Sequence, residues 1–127
     1  MDLSNSEINV SLPSSLGALE HLLKLDLSRN HLTGVIPAEF ANLRSVMEID
    51  LSYDNLSGVI PQELIQLRNM FLLRLKNNSL SGDVMSLSNC MSLTILNVSY
   101  NNLLGVIPTS NNLRNSLRGR ETSKSLV

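Results

Sequence analysis

The chain has 127 residues, 43% hydrophobic, 17% charged and 3% aromatic, with a net charge of −1. It is long and apolar enough for one folded unit, so disorder throughout is excluded, and its near-neutral charge leaves no electrostatic footprint for nucleic acid or a membrane surface. Its single cysteine, Cys90, excludes an internal disulfide, and no apolar run approaches the roughly 18 to 20 residues that cross a bilayer.

One unit recurs. Leu25 to Pro37 reads LDLSRNHLTGVIP, with copies starting at Ile49, Leu73 and Leu96 and a weaker first copy at Met1. The starts lie 24, 24, 24 and 23 residues apart, a period that signals a solenoid. An α/β solenoid is expected over 1–108, with short parallel strands on its concave face near 1–4, 24–27, 48–51, 72–75 and 95–98. Within each strand one pair points inward: Met1 and Leu3, Leu25 and Leu27, Ile49 and Leu51, Leu73 and Leu75, Leu96 and Val98. Intervening residues face solvent by strand alternation.

Five residues after each start stand Ser6, Asn30, Asp54, Asn78 and Asn101. A short side-chain amide there can satisfy backbone groups of a buried turn, so Asn30, Asn78 and Asn101 form a polar ladder. Asp54 breaks it, because a carboxylate accepts but cannot donate. Local strain, or a shift onto Asn55, is expected.

Gly34, Gly58, Gly82 and Gly105 follow, suited to unusual backbone or close approach. Pro13, Pro37, Pro61 and Pro108 then exclude helix at the residue before them. Aliphatics three apart, such as Phe40, Leu43 and Val46, suit a short 3₁₀ turn on the convex side. Cys90 takes the place of Leu43 and Leu67 and is expected to be a buried small hydrophobe. In the fourth unit Met85 replaces Pro and one residue is missing, so that turn is expected to tighten without disturbing strand register. Residues 109–127 lose the pattern and carry Arg114, Arg118, Arg120 and Lys124 against Glu121, a basic tail expected to be disordered.

The wording LxLSxNxLxGxIP at this period resembles the plant-type leucine-rich repeat of receptor-like kinases and receptor-like proteins. Ser14 to Pro37, Asn42 to Ser52, Leu72 to Asn78 and Ser86 to Pro108 resemble the last ectodomain repeats of the ERECTA family. The resemblance implies a plasma-membrane receptor module on the extracellular side that helps recognise small secreted cysteine-rich peptides and partner receptors. The chain departs from that family in lacking its signal peptide, cysteine caps, earlier repeats, membrane span and kinase domain, so no kinase activity carries over. It is expected to be a piece of something longer, or else intracellular.

Outward strand positions line up as columns: Asp2, Asp26, Asp50, Arg74 and Asn97; Asn5, Arg29, Tyr53, Asn77 and Tyr100; Lys24, Glu48, Leu72 and Ile95; Leu23, Met47, Phe71 and Thr94. Partner contact is expected at Asp26, Arg29, Glu48, Asp50, Tyr53, Phe71, Leu72, Arg74 and Tyr100, with the aromatics as anchors. Asp26 and Asp50 would stand about 5 Å apart, the spacing of a retaining glycosidase pair, yet a flat ribbon offers no pocket around them. His21 and His31 have no clustered partner, so no catalytic residue, metal or cofactor is expected. Sequons at Asn9, Asn55, Asn77 and Asn97 could accept N-glycans on a secreted chain. The alternatives to a receptor fragment are a stand-alone inhibitor or scaffold and a truncated product without function. Met1, Leu3 and Ile8 at one end and Val98, Leu103 and Ile107 at the other have no evident cover, which predicts marginal stability and end-to-end association.

Overall fold

The repeat closes into five stacked coils in a computed structural model that describes residues 1–104, apart from the side chains of Met85, Ser86 and Ser88. Gly105, Ile107, Pro108 and the tail 109–127 lie outside the described residues. Four strands, one per coil from the second onward, form the expected parallel sheet: β1 (Lys24–Asp26), β3 (Glu48–Asp50), β5 (Leu72–Arg74) and β7 (Ile95–Asn97). Equivalent residues pair directly, Leu25 with Ile49, Ile49 with Leu73 and Leu73 with Leu96. The first coil joins this sheet through the bridge between Asp2 and Asp26.

Period-two alternation turns the two aliphatics of each strand inward, and they are fully buried from the second coil onward. The core continues into Phe40, Leu43 and Val46, then Leu64, Leu67 and Met70, then Leu87, Cys90 and Leu93. Each such side chain contributes about 1.5 to 3 kcal/mol when removed from water. These residues sit in or beside the 3₁₀ turns Ser14–Ala18, Ala38–Asn42, Gln62–Gln66 and Val84–Asn89. Pro13, Pro37 and Pro61 immediately precede the first three, at φ between −76° and −61°. The fourth turn starts directly after its strand, with Val84 buried where Ile36 and Ile60 sit in earlier coils. The missing residue is thus absorbed on the return side, and the first sheet keeps its register.

A second parallel sheet, which the sequence pattern alone did not suggest, comprises β2 (Thr33–Gly34), β4 (Asn55–Val59), β6 (Ser79–Asp83) and β8 (Asn102–Leu104). Its register differs from that of the first. Thr33 pairs with Asn55 and Ser57 with Ser79, each 22 residues apart, although equivalent positions lie 24 apart. The sheet therefore leans by two residues, about 6.6 Å, at every coil. Gly58 and Gly82 permit this: both have positive φ, +77° and +88°, and a Cβ on either would stand 2.8 Å from Cγ1 of the preceding coil's Val35 or Val59.

The two ends of the stack differ from each other. Met1 and Leu3 are 43% and 44% exposed and Leu19 is 39% exposed, since the first coil has one neighbour only. At the other end Val98 and Leu103 are as deeply buried as interior leucines, which corrects the expectation that they lack cover. No helix among the described residues is long and apolar enough to cross a membrane.

Candidate partner-binding face

Alternation carries Asp26, Asp50, Arg74 and Asn97 onto the concave side of the first sheet in strict register. Their chemistry is more local than the column suggests. One Asp26 carboxylate oxygen accepts from the Ser28 N–H at 3.0 Å and its hydroxyl at 2.6 Å. Asp50 and Asn97 do the same with Ser52 and Ser99, and Asp2 with Ser4. The hydrogen bonds from Ser4 hold the Asp2 carboxyl below the usual range. The LDLS wording is thus a turn-closing device. Ser28 is buried and its hydroxyl is spoken for by Asp26. In the fourth coil Arg74 and Lys76 replace the Asp and Ser, and Arg74 Nη1 lies 3.9 Å from Asp50 Oδ2. At that distance, and with Arg74 exposed, the pair stabilises little.

The ladder forms as expected. Asn30 Oδ1 accepts from the Ser6 and Ile8 amides, while its Nδ2 donates to the carbonyls of Leu3, Leu27 and Ser28. Asn78 and Asn101 repeat the scheme one coil at a time. Asp54 keeps its place rather than yielding to Asn55, which is exposed. Its Oδ1 accepts from the Leu32 N–H at 2.9 Å, and its Oδ2 is buried with no partner. Burial pushes this carboxyl up to about 6 against the opposing pull of the Leu32 and Asn30 amides.

Immediately before each ladder residue the chain enters the left-handed region. Asn5, Arg29, Tyr53, Asn77 and Tyr100 have φ between 51° and 59°. Asn tolerates this; Arg and Tyr resist it by about 1 to 2 kcal/mol. The strained side chains stack. Arg29 Cζ sits 4.2 Å from the Tyr53 ring centroid, and Lys76 Nζ lies 5.8 Å from Tyr53 and 5.5 Å from Tyr100. A ridge of alternating cation and aromatic therefore crosses four coils, and cation–π contacts of this kind stabilise by about 0.5 to 1 kcal/mol each when exposed. Lys76 was missed as a member. The replacement of Ser28 and Ser52 of earlier coils by a lysine at position 76 was the available signal.

Beside the ridge, Leu23 and Met47 are exposed, Phe71 and Glu48 are half-buried, and Arg74 is exposed. Leu72, expected as a partner contact on this face, is only 5% exposed and presents almost no surface. Of the sequons, Asn9, Asn55 and Asn77 are exposed with exposed Ser partners, whereas Asn97 is engaged by Ser99, which is itself buried. The Cys90 thiol is buried, and desolvation raises its pKa. His21 and His31 are exposed, and no cluster of three metal-ligating side chains exists among the described residues.

Comparisons place this geometry among known proteins. A family model described as Leucine rich repeat matches residues 1–56 and 20–80, and a second leucine-rich-repeat model matches 92–112. Among curated proteins nothing matches at a significant level. The solved Arabidopsis receptor kinase HAESA, in complex with the peptide hormone IDA and the co-receptor SERK1, superposes with a TM-score of 0.84 at 31% identity, over 97% of this chain and 21% of that one. The plant peptide hormone receptor RGFR1, in complex with RGF2, gives 0.81 at 38% identity over 86% of this chain and 18% of that one. The BIR2 ectodomain from Arabidopsis thaliana gives 0.83 at 32% identity over 96% and 64%. The chain thus spans about a fifth of the length of the two hormone receptors. With a matching model over residues 1–80 and two parallel sheets stepping once per coil, the chain belongs to the leucine-rich-repeat family.

Proposed function

We propose that the chain is a protein-interaction module, the repeats of 1–108 forming part of a plant receptor-kinase ectodomain on the extracellular side of the plasma membrane. Its ridge of Arg29, Tyr53, Lys76 and Tyr100, flanked by Asp26, Glu48, Asp50, Phe71 and Arg74, contacts a secreted signalling peptide or a second receptor. The observation that carries this is the strain: Arg29, Tyr53 and Tyr100 occupy a backbone region where Asn or Gly would be at ease. Strain of this kind persists where function demands the side chain. Support comes from the hormone receptors of similar fold, solved with a peptide hormone and a co-receptor. The resemblance of the repeats to the ERECTA family narrows the ligand class to small cysteine-rich peptides.

The test replaces Tyr53 and Tyr100 with Asn, the residue already standing at positions 5 and 77 of the same column. Both variants are expected to fold at least as stably as the parent, since Asn accepts positive φ. In a pull-down with cysteine-rich secreted peptides and receptor ectodomains, the parent chain should retain a partner that the double variant releases. Equal retention by both chains would remove the ridge as the contact.

A further inference from the structure

The Asn ladder joins coils by pairing each Nδ2 with carbonyls of its own and the preceding coil. Asn30 reaches Leu3 and Leu27, Asn78 reaches Leu51 and Leu75, and Asn101 reaches Leu75 and Val98. At the equivalent place in the third coil stands Asp54, whose Oδ1 does the work of an amide oxygen on the Leu32 N–H. By the same spacing the carbonyls that an amide at position 54 would reach are those of Leu27 and Leu51, which accept from Asn30 and Asn78. Oδ2 is buried and has no partner. A carboxylate oxygen set against carbonyl oxygens is repelled; a carboxylic acid there can donate.

We propose that Asp54 is a proton-operated latch between the second and third coils, closed when its Oδ2 carries a proton that it donates to a ladder carbonyl and loosened when the proton leaves for solvent. The charged groups acting on it are His31 in the preceding coil's turn, which favours the carboxylate, and Asp50 on the strand before it, which opposes it. The following coil presents neutral Asn78. Tyr53 immediately precedes the latch, so the turn it secures is the one holding the middle of the cation–aromatic ridge.

The direction follows from linkage. An acid whose pKa is higher folded than unfolded, here about 6 against 3.8, stabilises fully below 3.8, and that stabilisation is lost as pH rises through about 6. The shift of about two units corresponds to up to a hundredfold in the folding equilibrium. Urea unfolding of the whole chain and of Asp54→Asn, from pH 4 to 8, is the test. The Asn variant, able to donate at every pH, should gain ten- to a hundredfold in the ratio of folded to unfolded over the parent at pH 8, and most of that gain should vanish at pH 4. A gain independent of pH would overturn the latch, as would no gain at all. Because His31 acts electrostatically on the Asp54 carboxyl, His31→Gln is measured in parallel. The slope of the parent should persist in it, and its disappearance would assign the switch to the histidine. Exchange of the Leu32 amide in the parent supplies a second readout should Asp54→Asn fail to fold. It should quicken between pH 5 and 7 by more than the intrinsic rate change, and exchange at the intrinsic slope alone would overturn the proposal.

Discussion

Replacing Gly58 with Ala tests whether the second sheet leans as described. Two penalties arise at this site. Positive φ, +77° here, costs a Cβ-bearing residue about 1 to 2 kcal/mol. The new Cβ would also stand 2.8 Å from Val35 Cγ1, an overpacking worth about 1 to 3 kcal/mol. Reduced freedom of the unfolded chain returns about 0.4 to 1 kcal/mol. A net loss of about 2 to 3 kcal/mol is expected. Val35 is 56% exposed, so Val35→Ala alone should be mild. In that background the methyl conflict is gone, and Gly58→Ala should cost only about 1 kcal/mol, giving a coupling of about 1 to 2 kcal/mol. Urea unfolding followed by far-UV circular dichroism measures all four corners of the cycle, the chain having no Trp for fluorescence. An equal cost in both backgrounds would refute the contact between coils. A cost below about 0.5 kcal/mol in either would refute the left-handed backbone requirement.

Other expected outcomes are simpler. Asn30→Ala strips two amides and three carbonyls of a partner and should destabilise by about 2 to 4 kcal/mol, more than removal of an exposed Asn such as Asn55; equal effects would deny the ladder its role. Phe40, the largest fully buried side chain, should cost about 3 to 5 kcal/mol on truncation to Ala, read as a fall in the urea midpoint. Ser52→Ala should lose about 0.5 to 1.5 kcal/mol by removing the hydroxyl bond to Asp50 Oδ1 while the backbone N–H bond to that oxygen remains, and no such loss is expected in an Asp50→Ala background, as urea midpoints would show. Cys90, buried with its thiol pushed up by desolvation, should react with an aromatic disulfide at pH 8 roughly a hundredfold more slowly than in urea; reaction at the unfolded rate would place it at the surface.

The repeat unit by itself determined most of the solenoid. Inward aliphatics, the Asn ladder, the Pro-led 3₁₀ turns and the burial of Cys90 all follow from contacts within one coil or between identical positions of adjacent coils. Such contacts repeat with the period and are therefore written in it. Decisions that pair unlike positions were left to tertiary structure. The second sheet is one, because its strands join residues 22 apart in a chain that repeats every 24. The ridge is another: Lys76 comes from a position occupied by Ser28 and Ser52 in earlier coils, and only its reach to Tyr53 and Tyr100 makes it a member. Leu72 was expected on an open face because strand alternation sets only direction, while packing between neighbours sets how much surface survives. Asp54 joins both levels. Its lack of a donor could be read from the residue type, but that Oδ2 stays buried and unpaired, rather than turning to solvent, was decided by the coils closing on either side of it.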